Sequence, residues 1–146
     1  MSSGRTHSLV TSIASGTLIG SMIALDYSIF DSSLVGLGCM SGILLTPDLD
    51  VDNGNISDSI IRNDWGHIPQ YLWRLYWTPY AKILKHRSFW SHFPLVSTAI
   101  RVIYISLIPI LFMYLFGFEF ELNRYWIEWF IGLCVSDFLH YLFDLF

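Results

Sequence analysis

The sequence predicts an all-α chain, a multi-pass membrane bundle of four transmembrane helices, and three observations carry that expectation. The composition is 53% hydrophobic and 14% charged, with a mean hydropathy of +0.50, above the norm for soluble domains. The apolar residues fall into four runs, at 9–25, 29–46, 95–118 and 125–146. Each is close to the ~20 residues a helix needs to cross ~30 Å of hydrocarbon. Aromatic residues make up 17% of the chain and gather beside the runs, as Trp and Tyr do where membrane meets water. The 146 residues are read as a single domain.

The first run, Leu9–Leu25, follows Met1-Ser2-Ser3-Gly4-Arg5-Thr6-His7. Its charged start is weak and no small-residue cleavage site can be placed, so the segment is expected to be retained. Gly16 and Gly20 in the first run, and Gly38 and Gly42 in the second, are each four residues apart. That spacing lets helix backbones touch, which predicts a tight hairpin of the first two helices; the same faces would equally serve a homo-oligomer. Residues 47–93 form the one long polar segment. It opens on a turn-like, acidic stretch, Pro47 to Asn55. Within Trp65–Leu84, residues Trp65, Ile68, Leu72, Leu75 and Tyr76 recur at helical spacing. This predicts an interfacial amphipathic helix ending near Pro79; the alternative is the buried aromatic face of a soluble fold. The third and fourth runs complete the bundle.

With four crossings, both termini and the 47–93 segment share one side. That side carries Arg5, Arg62, Arg74, Lys82, Lys85 and Arg87, and the other carries Arg124. The positive-inside rule then makes both termini cytoplasmic. The net charge of −4 argues against a nucleic-acid partner, which needs a basic stripe. Cys39 and Cys134 lie inside apolar runs without a Cys-x-x-Cys spacing, as small buried hydrophobes do.

On this topology the candidate ligands converge. His7 precedes the first helix, Asp48 and Asp50 follow the second, and His86 and His92 precede the third. Asp137, His140 and Asp144 lie on one stripe near the end of the fourth, at spacings i, i+3 and i+7. A lone Asp at the bilayer centre costs about 2.5–3.5 kcal/mol on insertion scales, and neighbouring carboxylates also repel. A divalent cation removes that repulsion; Arg5, Arg87 or Arg101 would be the alternative. Asp48 and Asp50 also fit a Pro-Asp turn with a helix cap, His86 and His92 fit surface positions, and His67 has no partner. Oxygen and nitrogen donors without thiolates suit Zn²⁺, with Mn²⁺ or Fe as alternatives. More than four ligands suggests two ions, the usual arrangement for cleaving phosphoesters. Ser91 or Thr6 can orient a ligand. Arg87 is placed to hold an anionic oxygen, or to anchor its helix to lipid phosphates.

The motifs Ser3-Gly4-Arg5-Thr6-His7, Gly42-x-x-x-Thr46-Pro47-Asp48-Leu49-Asp50, His86-Arg87-x-x-x-Ser91-His92 and Asp137-x-x-His140 resemble an uncharacterised bacterial family of metal-binding membrane proteins. That family is loosely similar to inner-membrane metal-dependent hydrolases and to the zinc-dependent phospholipase C and P1 nuclease group. The resemblance implies a metal site at His7, Asp48, Asp50, His86, His92 and His140. Two positions depart from the family pattern: Ser88 follows Arg87 where Gly is expected, and Ser97 replaces a Gly near the start of the third helix.

The expected function is thus a membrane-embedded metal-binding protein, possible as a hydrolase of phosphoesters or lipids at the cytoplasmic face of a bacterial inner membrane. Asp144, or Asp52, is expected to be the base, with Arg87 holding an anionic oxygen of the substrate. The alternatives are a metal bound for structure, storage or sensing, and a polar cluster that only pairs with arginines.

Overall fold

The computed structural model describes residues 4–51 and 54–145; Ser3 of the first motif and Asp52 lie outside them. Among the described residues there are seven α-helices and no strand. They are α1 (Gly4–Ala24), α2 (Ile29–Ser41), α3 (Ile56–Trp65), α4 (His67–Ile83), α5 (Phe89–His92), α6 (Val96–Leu115) and α7 (Arg124–Asp144), with a 3₁₀ turn at Pro47–Asp50. The all-α expectation holds.

The four-span expectation is corrected. Two helices, α1 and α6, are long and apolar enough to cross a membrane. The second run breaks early: α2 has 13 residues, about 20 Å of helix, and the chain then turns into Pro47–Asp50. The fourth run does form a helix of 21 residues, but Arg124, Glu128, Asp137 and Asp144 make it too polar for the same description.

The helix predicted over Trp65–Leu84 forms as α4, and a further helix precedes it. Asn55 Oδ1 accepts from the Asp58 N–H at 2.8 Å and so caps α3, a helix the acidic stretch did not suggest. Gly66, at φ +93°, ends α3 and lets α4 leave in a new direction, a backbone that glycine adopts without steric cost. Pro79 does not end α4, which continues to Ile83. The helix closes when the Leu84 N–H donates to the Tyr80 carbonyl at 3.0 Å, and the buried rings of Trp77 and Tyr80 anchor the turn around the proline. One face of α4 leaves Ile68, Leu72 and Leu75 exposed, while the opposite face packs inward. There Trp77 lies against Tyr76, Tyr80 and Tyr104, with ring centroids 5.3–5.4 Å apart. Reciprocal bonds tie α4 to α6: Tyr76 Oη donates to the Tyr104 carbonyl at 3.0 Å and Tyr104 Oη to the Tyr76 carbonyl at 2.6 Å. Leu45, Leu49 and Leu133 complete this core.

The glycine hairpin takes a different form from the one predicted. A Cβ at Gly16 or Gly20 would meet nothing within 4 Å. Gly38 and Gly42 instead face α7, where a Cβ would collide with the Trp129 carbonyl and with Ser136. Gly132 of α7 completes the contact against the Val35 carbonyl. The α1–α2 contact runs through Gly36, whose carbonyl accepts from Ser15 Oγ at 2.8 Å. The second glycine pair is therefore used inside the chain. The close α2–α7 packing sets the end of α7 beside the start of α1 and the Pro47–Asp50 turn.

Candidate metal centre

Local geometry brings the candidate residues to one end of the bundle. Thr46 and Pro47 start the 3₁₀ turn, whose compact backbone buries Leu49 in the core and projects Asp48 and Asp50. His86 and Arg87 follow α4. Ser88 and Ser91 cap the short α5 reciprocally, which fixes His92 in its last turn. Arg87 takes φ +59°, whereas Ser88 takes φ −75°, so the serine stands where no glycine backbone is needed. His7 lies in the first turns of α1, and His140 and Asp144 in the last two turns of α7.

Five side chains from four segments meet. His7 Nε2 is 3.3 Å from Asp144 Oδ1, and His140 Nε2 is 3.5 Å from Asp144 Oδ2. Asp48 Oδ1 lies 3.6 Å from His140 Nε2 and 3.7 Å from His92 Nε2. The His7 and His140 rings stack with centroids 3.9 Å apart at 16°. These separations exceed the 2.7–3.2 Å of a good N–H···O bond, and the buried Nε2 atoms of His92 and His140 have no hydrogen-bond partner among the described residues. Two donors bound to one ion at about 2.0–2.1 Å in a tetrahedral arrangement stand roughly 3.4 Å apart. The donor set therefore fits a metal ion. Three overlapping groups have that capacity: His7, His140 and Asp144; Asp48, His92 and His140; and Asp50, His86 and His92.

Asp50 differs from Asp48. Its Oδ1 is hydrogen-bonded to His86 Nδ1 at 2.7 Å, its Oδ2 accepts from the Arg87 N–H at 3.3 Å, and Oδ2 lies 3.4 Å from His92 Nδ1. Ser91 Oγ is 3.1 Å from the same nitrogen. Burial pushes both Asp carboxyls upward, but the facing imidazoles outweigh it. His140 and His92 hold Asp48 well below the usual carboxylate range, and His92, His86 and Ser91 lower Asp50. Burial works to lower His92, yet Asp48 and Asp50 raise it to about 9.

Asp137 does not join the cluster. Thr98 and Arg101 engage its carboxylate, and both members of the Arg101–Asp137 pair are 1% exposed. The arginine-paired alternative thus holds for this residue of the helix stripe. His67 is exposed at the start of α4. Asp144, expected as a base, stands instead among the donors; its i+4 spacing from His140 was the available signal. A cavity of about 200 Å³ opens on the cluster, lined by Gly4, His7, Asp48, Val51, Gly54, Asn55, His86, Arg87 and Asp144. Gly54 and Asn55 were not foreseen, since nothing in a turn sequence tells which pocket it borders.

A family model described as "Uncharacterized metal-binding protein (DUF2227)" matches residues 2–124. The match takes in His7, Asp48, Asp50, His86 and His92 and stops at the first residue of α7. Neither a curated protein nor a solved structure matches the chain.

Proposed function

The chain belongs to the DUF2227 family of uncharacterized metal-binding proteins, and on that premise we propose a membrane-embedded metal centre that hydrolyses phosphoesters at the cytoplasmic face of a bacterial inner membrane. His140 with His7 and Asp144, and His140 with Asp48 and His92, form two overlapping donor sets for one or two divalent ions. Zn²⁺ suits these imidazole and carboxylate donors best, with Mn²⁺ or Fe as alternatives. When bound, the ion supplies a Lewis acid and lowers the pKa of water.

The observation that carries the hydrolytic reading is the cavity. Its wall includes the donors His7, Asp48 and Asp144 together with His86 and Arg87, so the centre meets solvent where two other functional side chains stand. Arg87 offers a planar fork of donors to phosphate oxygens. His86 has Nδ1 held by Asp50, and its Nε2 takes a proton from the nucleophile or returns one to the leaving oxygen. The base role expected of Asp144 passes to His86, because Asp144 is itself a donor.

Membrane embedding is supported by the outer surface. Leu9 and Ile13 on α1, Ile103, Leu107 and Leu111 on α6, and Ile127 and Ile131 on α7 are each at least 50% exposed. Apolar side chains exposed along these helices suit lipid around α1 and α6. The exposed face of α4 would then lie in the interface.

A second reading is favoured by the donor count. Five protein donors suffice to close a tetrahedral shell, which is the pattern of a structural or sensing site. A phosphoester panel on the purified chain separates the two. The hydrolytic reading requires turnover that a chelator abolishes, that added metal restores, and that Arg87→Ala lowers while metal content stays constant. Full metal occupancy with no turnover on any phosphoester would establish the second.

A further inference from the structure

We infer that Asp50 is a positioning carboxylate and not a metal ligand: it holds His92 in the tautomer that presents Nε2 to Asp48, and it holds His86 at the cavity wall. This inference rests on the metal-centre reading above and assigns the part of one residue within it.

The contact with His86 separates the role of Asp50 from that of the donors, its 3.4 Å approach to His92 Nδ1 being in the donor range. Asp48 and Asp144 stand 3.3–3.7 Å from imidazole Nε2 atoms, the distance between neighbouring donors on one ion. Asp50 Oδ1 lies 2.7 Å from His86 Nδ1, an ordinary hydrogen bond and too close for that arrangement. The carboxylate is already occupied on both oxygens, since Oδ2 receives the Arg87 N–H at 3.3 Å, and its side chain is 0% exposed. Both imidazoles turn the same atom, Nδ1, toward it: His86 at 2.7 Å and His92 at 3.4 Å.

The chemistry follows from the imidazole ring. A histidine bound to metal is neutral and carries one proton, and a carboxylate facing Nδ1 keeps that proton there. Nε2 then keeps its lone pair. For His92 this is the buried nitrogen without a hydrogen-bond partner among the described residues, 3.7 Å from Asp48 Oδ1. Carboxylates behind ligating imidazoles fix ring orientation and raise ligand basicity. The local chain is built for this. The 3₁₀ turn spaces two carboxylates by one buried leucine, so that Asp48 faces the donors and Asp50 faces the far side of the imidazoles. Arg87, at φ +59°, accepts a left-handed backbone and aims its N–H at Asp50. Such strain persists where the surroundings impose it.

The test uses the full chain purified in detergent, with Zn²⁺ and Co²⁺ as probes. Asp50→Asn is expected to retain the metal stoichiometry and the Co²⁺ absorption band of the parent chain, with an affinity lowered about 10–100-fold in chelator competition. His140→Ala is expected to bind none. In ¹⁵N spectra of the zinc-loaded parent chain, His92 is expected to show a protonated Nδ1 and a metal-shifted Nε2, which needs no variant to fold. Loss of a whole equivalent of metal in Asp50→Asn, or a moved Co²⁺ band, would make Asp50 a ligand and overturn the inference. Unchanged affinity, or a metal-shifted Nδ1 on His92, would overturn it while leaving the metal centre standing. A parent chain that binds neither ion removes the centre itself and this role with it.

Discussion

Asp58 and Asp137 meet their partners more closely than Asp48 and Asp144 meet theirs. Asp58 accepts from Arg74 Nε and Nη2 at 2.6 Å each and from Gln70 Nε2 at 3.1 Å, and Asp137 closes onto Thr98 and Arg101. These are finished ion pairs. Asp48 and Asp144 stop 3.3–3.7 Å from their imidazoles, although nothing in an Asp–His pair prevents a shorter bond. Asp58 allows a pH prediction independent of the metal. Arg74, then Gln70 against the pull of burial, hold its carboxyl below the usual range. A depressed acid stabilises the fold above its unfolded pKa of about 3.9 and loses that contribution as pH falls through the folded value. Asp58→Asn should therefore cost about 1 kcal/mol at pH 7, a figure kept small because Arg74 is 39% exposed and screened by water. Denaturant unfolding of both proteins should show the difference at pH 7 and its progressive loss as pH falls below the unfolded value of about 3.9.

At the scale of elements, α2 and α7 are in backbone contact, and α7 carries His140 and Asp144. Gly38→Ala should destabilise the chain by about 1–3 kcal/mol, the usual range for overpacking, because the new Cβ meets the Trp129 carbonyl and not a flexible side chain. Gly16→Ala, with open space around it, should leave stability unchanged or slightly raised, Ala being the better helix former. Thermal unfolding in detergent compares the two, and equal losses would contradict the packing account. The sequence showed two small-residue faces but not their partners, since spacing within one helix says nothing about which neighbour lies on it. Pro79 misled for a related reason: local propensity argued for a helix end, and the inward packing of Trp77 and Tyr80 overrode it.

For the whole molecule, the convergence of the site was legible because connectivity determines it. Helices that run alternately away from and toward one end bring the start of α1, the end of α2, the start of α6 and the end of α7 together, whatever their exact lengths. That is why His7, Asp48, His92 and His140 meet as the connectivity implies, while α2 and α7 were read as too long or too apolar. Roles within the cluster were less legible. Asp48 and Asp50 look alike in a Pro-Asp-Leu-Asp turn, and Asp137 looks like a donor until Arg101 is seen beside it. The family match points to metal binding, and the donor separations give that statement a place in the fold. Elemental analysis of the gently extracted chain tests the place most directly, alongside His92→Ala, His140→Ala and His67→Ala. The account predicts stoichiometric divalent metal in the parent chain and in His67→Ala, and its loss from the other two. A parent chain without metal, or variants at His92 and His140 that keep it in full, would contradict the account.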